Sequence, residues 1–381
     1  MPTVLSGSGS ADFATALPVA EGGTGATAST GSGNVVLSTS PTLTTPIVTS
    51  LNGGQLGGRR NIVINGEMKV AQRSASVAGL GAAAGYFTLD RWNMVINTAS
   101  AGRYTMAQVA DGPAGFANCL KLTTTTADTS IAASEYLILQ QRFEGQDLQH
   151  LEKGTATAKQ VTISFYVKGN ASATYTCELN DIDNTRQIAQ EFAVTTSWNR
   201  IELTFAADTS DPFDDDNARS LDFNFWLHAG STYTGGTFSS NAWKDQVHNT
   251  RVSDSQTSIF DATSRTFFIT GLQMETGSVA TPFERRPYGT ELALCQRYYQ
   301  ETRTGWCGDA TDNEFYRAYY QLTVSMRAAP TIVWADNNVA GFDGGYNSES
   351  GTISGGAVYR QANTTANARL FTVSGKFTSE L

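Results

Sequence analysis

The sequence predicts a mainly β protein: an antiparallel, jelly-roll-like β-sandwich, with an extended segment before it and a short helix and small β block after it. Three observations carry this. Only 16% of the 381 residues are charged while 40% are hydrophobic, and Ser, Thr, Gly and Asn fill the difference, a mixture suited to many short strands joined by turns. Three segments alternate strictly between apolar and polar residues. Gly, Asn and Asp punctuate the chain between such segments, as they do at the turns of sandwiches and barrels.

Residues 1–58 hold no Lys or Arg, two acids (Asp12, Glu21) and one aromatic, Phe13, whereas Gly, Ser and Thr supply 29 of the 58. Such a segment cannot offset its ordering entropy by burial within its own chain. Two readings stand: a disordered tail, or extended chain ordered by other copies that pool Val35, Leu37, Leu43, Ile47, Val48 and Leu51.

The middle block, 59–287, carries the alternation. In "VTISFYV" (161–167), Val161, Ile163, Phe165 and Val167 share one face and Thr162, Ser164 and Tyr166 the other. "IELTF" (201–205) and "LDFNFWL" (221–227) repeat it, so each is expected to bury one face and solvate the other. A connecting helix is expected within 288–301, over about 290–301, capped by Thr290, entered at Pro287 and Gly289, with Glu291 at its positive end. Its stripe of Leu292, Cys295 and Tyr299 suits a three-fold axis. The final block, 302–381, returns to strand-like sequence rich in Gly, Tyr and Trp.

A net charge of −9 argues against a nucleic-acid backbone as partner. No apolar run reaches the ~20 residues of a membrane helix, and the N-terminus lacks the pattern of a secretory signal, so synthesis in the cytoplasm without export by the ordinary route is expected. Cys119, Cys177, Cys295 and Cys307 form no C-x-x-C pair and are expected as reduced thiols, with Cys295 and Cys307 the only pair close in sequence.

Two polar clusters invite functional readings. "DTSDPFDDDNARSLD" (208–222) is dense in hard oxygen ligands, and Asp211, Asp214 and Asp216 are candidate Ca²⁺ ligands. The loop lacks the order of an EF-hand, and a solvated acidic turn is the alternative. In "DRW" (Asp90–Trp92) the expectation is structural: Arg91 held by a carboxylate, Trp92 between the sheets with its indole N–H satisfied.

"RNIVINGEMKVAQR" (60–73) with "YFTLDRW" (86–92) resembles the opening of a carbohydrate-binding-module-like β-sandwich of bacteriophage tail fibres. "LQMETGSVATPFERRPYGTELALCQRYY" (272–299) resembles its close and exit helix. "PVAEGGTGAT" (18–27) and "GNVVLSTSPTLTTP" (33–46) are similar to fibre-shaft repeats, and "VSMRAAPTIV" (324–333) and "GKFTSEL" (375–381) to elements of a terminal fibre domain. The resemblance implies a homotrimeric virion protein that attaches to other virion proteins through its N-terminal segment and contacts a host surface receptor, a glycan. It supplies no catalytic residues.

Non-enzymatic receptor binding is therefore the expected function. A depolymerase cutting surface polysaccharide and a purely structural appendage are the alternatives. G-x-S-x-G, H-E-x-x-H and phosphate-loop motifs do not occur, and 35 acids make a carboxylate pair uninformative. Receptor contact is expected in 302–381, where aromatics for sugar C–H faces interleave with polar side chains for hydroxyls. Trp306, Trp334 and Tyr346, with Asp336 and Asn337, sit in or beside its turn-rich runs.

Overall fold

The computed structural model of the chain describes residues 59–97, 100–342, 347–348, 352–363 and 366–381. The expected shaft segment, 1–58, lies outside them. In chain order the strands of the middle block are β1 (Ser76–Leu80), β2 (Asn93–Ile96), β3 (Arg103–Val109), β4 (Cys119–Thr126), β5 (Tyr136–Glu144) and β6 (Val161–Gly169). They continue as β7 (Ala173–Asp181), β8 (Arg186–Val194), β9 (Asn199–Phe205), β10 (Arg219–Ala229), β11 (Lys244–Asp245) and β12 (Thr266–Thr276). They form two six-stranded antiparallel sheets, ordered β1-β3-β4-β12-β6-β9 and β11-β8-β7-β10-β5-β2. The chain folds as the sandwich its alternation predicts.

The apolar parity of each alternating segment faces between the sheets. Ile163, Phe165 and Val167 of β6 and Phe223, Phe225 and Leu227 of β10 are fully buried in one core with Leu203 and Phe205 of β9. Phe165 meets Phe225 and Phe192 edge-on, each at a centroid distance of 5.1 Å. Such pairs add about 0.5–1.5 kcal/mol to what area burial contributes.

The polar parity departs from expectation on β10. Asp222, Asn224 and Trp226 point away from the core yet are 2%, 1% and 1% exposed. The segment after β10, with the single-turn α1 (Ser231–Thr234), crosses this outer face, and Tyr233 and Val252 pack on Trp226 and Ile138. Polar groups buried this way must satisfy one another. Gln140 donates to Asn224 at 2.9 Å, Asn224 to Glu178 at 2.9 Å, and Arg251 closes the row with two bonds to Glu178 at 2.7 and 2.8 Å.

The segments bracketing the sandwich, 60–73, 86–92 and 272–299, meet in one polar knot. Asn65 donates to the carbonyls of Val70 and Asp90, and its backbone N–H reaches Glu291. Trp92 is fully buried with its indole N–H on the Asn65 carbonyl at 3.3 Å. Arg91 pairs with Glu380 and lies 3.4 Å from the Tyr298 ring centre.

The helix is α2 (Tyr288–Gln296), which starts earlier and ends earlier than expected. Pro287 holds the N-cap position, Thr290 lies inside the helix, and among the described residues no side chain caps it. Glu291 is buried, accepting from Asn65 and pairing with Arg286. Tyr299 already belongs to the next strand. Leu292, Cys295 and Tyr298 pack against Ile64, Val70 and Leu381 of the same chain, which consumes the apolar stripe expected at a three-fold axis.

The final block holds β13 (Tyr299–Ala310), β14 (Phe315–Gln321), β15 (Thr331–Ala340), β16 (Asn347–Ser348), β17 (Gly355–Gln361) and β18 (Ala366–Thr378). Two three-stranded antiparallel sheets, β13-β18-β15 and β14-β17-β16, pack around Ala318, Phe342, Val358, Phe371 and Val373.

Candidate functional site

Strand β14 reads Phe315-Tyr316-Arg317-Ala318-Tyr319-Tyr320-Gln321, with aromatics on both parities. Tyr316, Ala318 and Tyr320 turn into the small core, where burial raises the pKa of the Tyr320 phenol. Phe315, Arg317, Tyr319 and Gln321 turn outward and are exposed, Phe315 at 48% and Tyr319 at 74%. Across the ladder, Arg317 pairs with Tyr359, Tyr319 with Ala357 and Gln321 with Gly355. Phe315 meets Tyr359 edge-on at 5.6 Å, and the Arg317 guanidinium lies 5.4 Å from the same ring.

The register explains why Tyr319 is bare. Its cross-strand neighbour is Ala357, and the next residues toward the turn are Gly356 and Gly355. None of these covers a phenol ring. A side chain at Gly355 would begin 2.6 Å from the Tyr320 carbonyl oxygen, so the close strand approach requires glycine there. The result is an open groove of about 710 Å³ beside Tyr319, edged by Gln321, Thr352 and Ser354. A flat exposed ring, an amide and two hydroxyl-bearing residues are groups that stack on and hydrogen-bond to a polyhydroxylated ligand.

Trp306, Trp334, Asp336 and Asn337, expected from sequence, do not line this groove. Trp306 faces inward, half-buried, 4.3 Å from the Tyr316 ring and 5.7 Å from Phe342. Trp334 packs on Tyr320 and Phe377, and among the described residues its buried indole N–H meets no acceptor. Asp336 pairs with Arg360, which is 1% exposed. Asn337 is exposed at a register shift in β15 and donates to Ser374 at 2.8 Å. Tyr346 lies outside the described residues. Loop position selected these residues, while the exposed aromatics sit on a strand. Ala318 at the centre of β14 and the Gly355-Gly356-Ala357 run are the available sequence signals.

The acidic loop does not assemble a metal site from Asp211, Asp214 and Asp216. Among the described residues no three acidic, His or Cys side chains are grouped to hold an ion. Lys153 supplies the positive charge instead. Its ammonium lies 2.7 Å from Asp181 Oδ2 and 3.3 Å from Asp208 Oδ2, and donates to the carbonyls of Ser210 and Asp211 at 3.1 and 2.6 Å. Burial opposes ionisation of Asp208, but its bonds from Arg186 and Ser210 and the nearby Lys153 charge lower its pKa overall. The Asp183 and Asp216 carboxylates serve the loop backbone: Asp183 accepts from the Asp214 N–H, and Asp216 accepts from the Ala218 N–H.

All four cysteines are free; Cys119, Cys177 and Cys295 are buried and Cys307 is exposed. Among the described residues no helix is long and apolar enough to cross a membrane.

No protein-family model matches the chain, and no curated protein matches it. Several solved structures are similar to part of the chain. One is the enzymatically active domain of bacteriophage CBA120 tailspike protein 4, at 13% identity and a TM-score of 0.32 over 57% of this chain. That match spans 21% of the tailspike chain. Another is a family 11 carbohydrate-binding module of a Clostridium thermocellum cellulase, at 13% identity and a TM-score of 0.27, covering 55% of this chain and 98% of the module. A third is TmCBM61 in complex with β-1,4-galactotriose, at 10% identity and a TM-score of 0.30, covering 57% of this chain and 99% of the other.

Proposed function

We propose that this protein is a non-enzymatic tail-fibre protein of a bacteriophage, homotrimeric in the virion, that recognises a host surface glycan through the outward face of β14 and β17. The observation that carries this reading is the Tyr319 ring, 74% exposed and set beside an open groove with only the small Ala357 across the ladder. The fibre context rests on the resemblance of 60–73, 86–92 and 272–299 to a fibre sandwich and of 18–27 and 33–46 to shaft repeats. That the three sandwich segments meet in one polar knot accords with their acting as a unit.

Alanine at Tyr319 is the direct test, because the side chain makes little of the fold. Losing one sugar-stacking ring should weaken host-cell binding about tenfold, equivalent to about 1.4 kcal/mol, with the melting temperature unchanged. Full binding by Tyr319→Ala and Phe315→Ala together would end this assignment of the site. Release of reducing ends from host polysaccharide would replace binding with depolymerisation. Light scattering that returned a stable monomer would remove the trimer.

A further inference from the structure

A second groove lies on the sandwich, on the solvent face of the sheet that contains β12, β6 and β9. It measures about 340 Å³, near the small end of the roughly 300–1,000 Å³ range of ligand pockets. Phe116, Tyr166 and Phe283 line it, with Phe116 5.3 Å from Tyr166 and 5.2 Å from Phe283. Arg200, Arg285 and the Ser164 hydroxyl supply its polar groups.

Local backbone irregularity shapes this groove. The β12–β6 register shifts between Thr270 and Gln273, and bulges of this kind re-aim side chains at functional sites. Gly271, within the shift, has φ +63°, and a Cβ there would lie 2.8 Å from the Phe116 ring and 3.0 Å from Tyr166. Glycine lets the two rings close on one another over the sheet.

The rim is cationic in a chain of net charge −9. The Arg285 guanidinium lies 4.8 Å from the Phe116 ring centre, and its Nη1 is steadied by Glu67. Its side chain is 51% exposed, and among the described residues its Nε and Nη2 meet no acceptor. Arg200 is fixed by Glu202 at 2.7 Å and by donation to the Thr281 carbonyl at 2.7 Å. Aromatic walls beside a positioned guanidinium with unused donors suit a sugar ring that bears a carboxylate.

We propose that this groove is a subsite for an acidic sugar, a uronic acid residue of a glycan, its ring against Phe116 and Phe283 and its carboxylate on Arg285. The inference takes from the proposed function only the glycan class, and its site is separate from the β14–β17 face.

The test is calorimetric titration of the full chain with digalacturonate and with its methyl ester, which keeps the sugar and removes the charge. Melting temperatures are compared first; Arg285 is at the surface, and Glu67 retains Lys69 as an ion-pair partner when Arg285 is removed. Arg285→Ala should weaken digalacturonate about tenfold, the scale of a lost charge-assisted pair, and leave the weaker ester binding unchanged. Phe283→Ala should weaken both ligands. Equal affinity for acid and ester, an unchanged affinity in Arg285→Ala, or no binding of either ligand overturns the proposal. Failure of the β14–β17 reading would show in host-cell binding by Tyr319→Ala, a separate measurement.

Discussion

Replacing Lys153 with Met tests what holds the acidic loop. The side chain is 5% exposed, and its ammonium faces the carboxylates of Asp181 and Asp208, which are 0% and 4% exposed. Methionine keeps most of the aliphatic bulk against Phe213 and Trp243 and removes the charge. Breaking a buried ion pair by deleting one partner costs about 3–5 kcal/mol, because the other charge stays behind desolvated. Arg186 still pairs with Asp208 at 3.0 Å, so the lower end, about 3 kcal/mol, is expected here. Urea unfolding followed by tryptophan fluorescence reads this as a lower midpoint at unchanged slope. A shorter polar substitution, Lys153→Ser, leaves room where two carboxylates and two carbonyl oxygens converge, a hard-oxygen set suited to Ca²⁺. Millimolar calcium should then restore stability to Lys153→Ser and leave the parent unchanged, and chelator should not move the parent's melting curve. A loss under about 1 kcal/mol in Lys153→Met, the level of a surface pair, would refute the claim that the ammonium is the loop's counter-ion.

Other measurements reach other parts of the molecule. Burial raises the pKa of the Asp90 carboxyl to about 6 against the opposing effects of Gln72 and Arg73. The folded state therefore binds this proton more tightly than the unfolded chain, and stability from this group falls as pH rises from about 4 to 6, by about 2–3 kcal/mol in all. Asp90→Asn should flatten that window; a slope unchanged by the substitution would assign it elsewhere. Cys307 should react with a thiol reagent in the native protein, while Cys119, Cys177 and Cys295 should wait for unfolding, since burial raises the pKa of all three thiols. One modified thiol by mass spectrometry under native conditions, at Cys307, is the expected count.

The strands were legible because alternation is a local property. Ile163, Phe165 and Val167 must share a face in any extended chain, and only a second sheet offers that face enough apolar surface. The Asp90–Trp92 cluster was legible for a related reason: a large ring and a charge in succession need opposite environments, met here by the core and by Glu380. The helix was legible in place and not in length, since its last expected turn is claimed by pairing of β13 with β18, where Tyr299 faces Thr378.

What the sequence by itself determined is therefore which segments extend and which side chains share a face. Only the tertiary structure decided which faces stay open. Asn224 looks solvated in sequence and is buried where the segment after β10 turns back over the sheet and sets Arg251 on Glu178. The acids of 208–216 look like ligands for a metal, whereas Lys153, more than fifty residues earlier, sets its ammonium on the Asp208 carboxylate and the Ser210 and Asp211 carbonyls. On β14 both parities carry aromatics, and sequence cannot choose between them. Pairing with Gly355, Gly356 and Ala357 leaves Tyr319 bare, while the opposing sheet buries Tyr320. Alternation follows from covalent geometry and is written residue by residue, whereas exposure depends on what distant chain packs opposite.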